Sequence, residues 1–81
     1  MPVILRYKGY RFFFFSNEGN PREPLHIHVR EGDLIAKFWL EPDIRLAENH
    51  GFSAHHLSEI WSVIRDHHNL LEEKWHEYFG N

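Results

Sequence analysis

Eighty-one residues with a formal net charge of −3 and no cysteine exclude a disulfide-braced scaffold, a thiolate metal centre and a polycation that grips nucleic acid by general charge alone. The length suits one domain, residues 1–81, and the 16% of aromatic side chains let a small core bury much apolar area per residue. No apolar run approaches the ~20 residues of a membrane span, and residues 1–6 are too short a stretch for an export signal, so a cytoplasmic location is expected.

Taken in chain order, residues 3–7 read as a strand, Lys8-Gly9 as a tight turn and residues 10–15 as a second strand. The run Phe12-Phe13-Phe14-Phe15 is apolar on both faces. A strand covered on both sides has that pattern, and so does one whose second face meets a partner. Residues 16–24, Ser-Asn-Glu-Gly-Asn-Pro-Arg-Glu-Pro, are loop chemistry throughout.

The next two strands fix their own register. In residues 25–30 one face carries Leu25, Ile27 and Val29 and the other His26, His28 and Arg30. In residues 34–40 one face carries Leu34, Ala36, Phe38 and Leu40 and the other Ile35, Lys37 and Trp39. Directly paired residues of an antiparallel sheet share a face, so joining the apolar faces needs an even loop. Gly32-Asp33 as a type II′ turn supplies it, with Gly at the first central position. That register sets His28 opposite Lys37 and His26 opposite Trp39, away from the apolar set.

Glu41-Pro42-Asp43 ends this strand, residues 44–47 read as a short further strand or irregular edge, and Asn49-His50-Gly51 as a turn. Ser53 then caps a helical segment in which Leu57, Ile60, Trp61, Ile64, Leu71, Trp75 and Tyr78/Phe79 recur at three- and four-residue steps, with Gly80 as the stop. One long helix is the preferred reading. Asn69 with Glu72 three residues on would instead cap a second one. The fold expected is α+β: a small antiparallel sheet of four to five strands followed by a C-terminal helix, one long or two short, packed on one face.

Candidate chemistry begins with His26-Ile27-His28. On a strand both imidazoles project the same way, as a zinc, iron or nickel site requires, and Glu18 or Glu23 in the preceding loop would complete it. Histidines on a solvated polar face that bind nothing give the same pattern. His68, Glu72 and His76 fall at four-residue steps along one helix face and fit either zinc or ordinary Glu–His pairing. His55-His56 and His67-His68 are adjacent pairs that point apart.

Charge is unevenly spread, with seven basic and six acidic side chains in residues 1–45 and two basic and six acidic in residues 46–81. Arg6, Lys8, Arg11, Arg22, Arg30 and Lys37, interleaved with Tyr7, Tyr10 and Trp39, suit phosphates and a stacked base. Arg11, Arg30 and Trp39 are the candidate binding face. His26, His28 and Lys37 are the candidate catalytic set of a metal-independent ribonuclease, since imidazole titrates near neutral pH. Glu31, Asp33 and Glu41 offset this charge, as on an ordinary solvated face.

The stretches Gly9-Tyr10-Arg11-Phe12-Phe13-Phe14-Phe15-Ser16-Asn17-Glu18-Gly19, Pro24-Leu25-His26-Ile27-His28-Val29, Ala36-Lys37-Phe38-Trp39-Leu40, Gly51-Phe52-Ser53-Ala54 and Trp75-His76-Glu77-Tyr78-Phe79 together resemble the bacterial family catalogued as domain of unknown function 4160. Leu25 departs from it, standing where the family usually shows a second proline. The resemblance implies a short stand-alone protein encoded beside another small protein, a layout that suggests a toxin–antitoxin pair with this chain as the toxin. It carries no catalytic residues. The expected function is therefore a toxin-like component acting on RNA or translation, with the neighbouring gene's product as partner and self-association as a further option. The alternative is a non-catalytic metal-binding or protein-interaction module.

Overall fold

The computed structural model describes residues 3–15 and 23–80. Five strands follow one another as β1 (Val3–Tyr7), β2 (Tyr10–Phe13), β3 (His26–Glu31), β4 (Leu34–Trp39) and β5 (Arg45–His50), and two helices close the chain, α1 (Ala54–Asp66) and α2 (His68–Phe79). The strands form one antiparallel sheet in the order β1-β2-β3-β4-β5, each beside its sequence neighbour. The fold is α+β, with no described helix long and apolar enough to cross a membrane.

The hairpin register is the one the alternation dictates: His26 pairs with Trp39, Ile27 with Phe38, His28 with Lys37 and Val29 with Ala36. Gly32 takes φ +59° at the first turn position, where a Cβ would meet the following carbonyl. On the inner face Tyr10, Phe12, Ile27, Val29, Ala36 and Phe38 pack against Ile60, Val63 and Ile64 of α1 and Leu71 and Trp75 of α2. Each large ring buried here contributes about 1.5–3 kcal/mol.

Three boundaries differ from expectation by more than a single residue. β2 ends at Phe13, two residues early, because Phe14 leaves the ladder to pack edge-on against Trp75 with ring centroids 5.2 Å apart. β5 continues through Asn49 and His50, which were expected in a turn. The Asn49 side chain accepts from the Phe52 N–H and donates to the Phe52 carbonyl, both at 3.0 Å. It thus shows turn chemistry while its backbone stays in the strand. The helical segment is two helices rather than one long one. They part at His67 (φ −120°, ψ 18°), two residues before Asn69, and His67 donates from Nδ1 to the Val63 carbonyl at 2.8 Å. The outer helix ends are as expected: the Ser53 hydroxyl caps the His56 N–H, and Gly80 closes α2 in the left-handed region.

Candidate functional site

The helices bury Ile60, Val63 and Ile64 of α1 and Leu71 and Trp75 of α2 in the inner-face core, while Trp61 and Tyr78, expected in the apolar stripe, are exposed. The outer face takes its side chains from alternate strand positions, and pairing arranges them in cross-strand rows. The row nearest the hairpin turns runs Arg6, Arg11, Arg30, Ile35 and His50. The next runs Val3, Phe13, His28, Lys37 and Glu48, and the last His26, Trp39 and Arg45. Arg11, Arg30, His26, His28, Lys37 and Trp39 thus share one surface.

Two of these are far from solvated. His26 is 0% and His28 7% exposed, which corrects the picture of histidines standing in water on a polar face. His28 stacks on Phe13 with centroids 5.7 Å apart and lies 4.2 Å from Phe15. His26 meets Trp39 at 5.7 Å and Trp75 at 5.0 Å. The outward-pointing members of the Phe run therefore roof one imidazole while the inward members fill the core. His26 donates from Nδ1 to the Pro24 carbonyl at 2.9 Å, which fixes the proton on that nitrogen.

Lys37, its side chain 12% exposed, donates to Glu23 Oε1 at 2.9 Å and sits 4.5 Å from the Trp39 ring centroid. The Lys37 hydrogen bond holds the Glu23 carboxyl below the usual carboxylate range, against the opposing pull of desolvation. Lys37 is thus a partly desolvated cation that a phosphate would reach by displacing one carboxylate.

Other members of the basic, aromatic set go elsewhere. Lys8 and Tyr10 both bind Glu59 of α1, at 2.6 and 2.8 Å, tying the first hairpin to the helix layer. Burial, then the bond to Glu59, pushes the Tyr10 phenol up to about 12. Hydrogen bonds from Lys8 and Tyr10 lower Glu59, and the pairing with Glu59 raises Lys8. Tyr7 pairs with Tyr10 on the helix-bearing side, so neither ring joins Trp39. Arg22 and Glu18 lie outside the described residues.

For a metal, no group of three or more His, Asp or Glu side chains converges among the described residues. His68, Glu72 and His76 do not form one, and the His68 Nε2 donates instead to the Leu40 carbonyl at 3.0 Å. Glu23 Oε1 stands 3.8 Å from His26 Nδ1, the nitrogen already committed to Pro24.

Arg45 was not singled out from the sequence, and Arg6 was named without a place. A bulge in β5 between the partners of Lys37 and Phe38 shifts the alternation by one, so Arg45, Glu48 and His50 face outward together. A strict two-residue period from Arg45 would have turned Ala47 and Asn49 to that face instead. Outer-face cations therefore include Arg6, Arg11, Arg30, Lys37 and Arg45, while the helices carry Glu59, Asp66, Glu72, Glu73 and Glu77 against Arg65 and Lys74. The net charge of −3 conceals two oppositely charged layers.

No curated protein and no solved structure matches the chain. One family model does, over residues 9–76, a span from the first turn to the last turns of α2 that holds every one of the outer-face residues above except Val3 and Arg6. The chain belongs to the family described as a domain of unknown function, DUF4160.

Proposed function

We propose that this chain binds RNA through the outer face of its sheet and serves as the toxin-like component of a two-protein toxin–antitoxin module, acting on RNA or translation. The observation that supports this reading is the segregation of charge: a chain of net charge −3 keeps Arg6, Arg11, Arg30, Lys37 and Arg45 on the outer face of the sheet, opposite the core that holds Ile60, Val63 and Ile64 of α1. A polyanion approaching such a molecule is steered to the sheet and repelled from the helices. Trp39, between Lys37 and Arg45, offers a surface for a base.

On this reading Arg11, Arg30 and Trp39 hold the strand, and His26, His28 and Lys37 form the reactive region. His28 and Lys37 are directly paired, which suits an imidazole that accepts the proton of a ribose 2′-hydroxyl beside an ammonium that meets the charge developing on the phosphate. The partner is the small protein encoded next to this one, masking the same face.

Growth on induced expression tests the proposal. Wild type should arrest growth, co-expression of the neighbouring protein should restore it, and folded Arg30→Gln and Lys37→Gln variants should not arrest. Arrest of equal strength by the folded variants, or none by the wild type, contradicts it.

A further inference from the structure

Antiparallel sheets avoid like charges on directly opposed residues, because the Cβ atoms stand only ~4.5–5.5 Å apart. In this sheet Arg6 pairs with Arg11, and Arg11 pairs with Arg30. Three guanidinium-bearing residues thus occupy consecutive places in one cross-strand row. Among the described residues none of the three forms an ion pair. The acidic neighbour Glu31 is turned away: its Oε2 lies where a Cβ on Gly9 would come within 2.7 Å. Arg30 donates from Nε to the Gly32 carbonyl at 3.1 Å, which anchors its stem and leaves its terminal N–H groups to other acceptors.

Beside this row is a depression of about 150 Å³ lined by Val3, Arg11, Phe13 and Arg30. A water's share of liquid volume is ~30 Å³, so a tetrahedral oxyanion fits. The two arginines supply planar forks of N–H donors that match phosphate oxygens, and the apolar floor of Val3 and Phe13 lowers the local dielectric, which strengthens each charged contact. A row of like charges beside a cavity of this size is an arrangement that an anion would complete. We propose that Arg11 and Arg30 over the Val3 and Phe13 floor, with Arg6 beside Arg11 in the row, form a binding site for a phosphate group.

The source of that phosphate, an RNA strand or free phosphate, rests on the RNA reading above, but its chemistry does not. An RNA lying from this depression toward Trp39 would cross the His28–Lys37 row, so the site would set the register of the strand on the face.

Thermal denaturation with millimolar inorganic phosphate, against chloride at matched ionic strength, tests the site, together with anisotropy of a labelled single-stranded RNA. Phosphate should raise the wild-type Tm above the chloride control, and the rise should vanish in Arg11→Gln and in Arg30→Gln. RNA affinity should fall in both variants, and the slope of log affinity against log salt should lose about one unit per arginine removed. Equal Tm shifts in phosphate and chloride overturn the site, as does a phosphate shift retained by both variants. Should RNA bind wild type and both variants equally, the site falls and so does the part given to Arg11 and Arg30 in holding the strand, while RNA binding itself stands on the rest of the face. Should phosphate bind as described while RNA binds none of them, the site stands as one for free phosphate and the RNA reading falls.

Discussion

Replacing Arg11 by Gln should stabilise the free protein, although it removes a conspicuous charged side chain. Arg11 is the middle member of the row, directly opposed to Arg6 on one side and Arg30 on the other, so a single change relieves two like-charge contacts. Cross-strand charge effects run about 0.2–1 kcal/mol per pair, and exposed side chains belong at the low end. Two relieved pairs then give about 0.5 kcal/mol, which for a domain of this size is a Tm increase of ~2–4 °C. Circular-dichroism melts at low ionic strength read it directly. Near 1 M salt, where the screening length falls to ~3 Å, the difference between variant and wild type should disappear. An unchanged or lowered Tm at low salt would refute the idea that the row is strained by repulsion in the free state.

Trp75 is 1% exposed and packs on Phe14, Phe79 and His26. Trp75→Ala should cost about 3–5 kcal/mol, much of the stability of a small domain, and abolish the cooperative transition. Raising the Tyr10 phenol to about 12 means that the folded state holds this proton more tightly than the unfolded chain. Its contribution is complete below pH ~10 and is lost as pH rises toward 12. Ultraviolet titration should show a late tyrosinate phase that Tyr10→Phe removes. The Glu23 carboxyl is held low chiefly by Lys37, so its stabilisation is present above the usual carboxylate pKa and fades as pH falls through the folded value. In Lys37→Gln its NMR titration midpoint should move up toward the ordinary range. His28→Ala should lower the Tm by removing a ring stacked on Phe13, so exposed Arg30 is the cleaner probe of function.

Sequence reasoning was strongest where a short-range rule decided the outcome. Alternation plus an even loop fixed the pairing of His26, His28, Lys37 and Trp39 with their partners, because an odd loop would have split the apolar face. The break at His67 was harder to read, since Leu71 and Trp75 keep the three- and four-residue rhythm across it. The bulge in β5 hid Arg45 by changing the parity of the strand. Burial of the two histidines was equally hidden: for His28 it depends on Phe13 and Phe15 folding over the outer face and for His26 on Trp39 and Trp75, and the Phe run could be read as core on both sides or as a partner surface. The arginine row was not drawn out because it is a property of three strands laid side by side. Arg6, Arg11 and Arg30 are separated in sequence, and only the order β1-β2-β3 makes them neighbours.

RNA binding by the outer face is the central claim, and a salt-resolved anisotropy titration tests it most directly. Single-stranded RNA should bind wild type with an affinity that falls as salt rises. Arg30→Gln with Lys37→Gln on the sheet should weaken it and flatten the salt slope, while Arg65→Gln with Lys74→Gln on the helices should leave it unchanged. Absence of binding to wild type, or equal loss from the helix variant, would contradict the account.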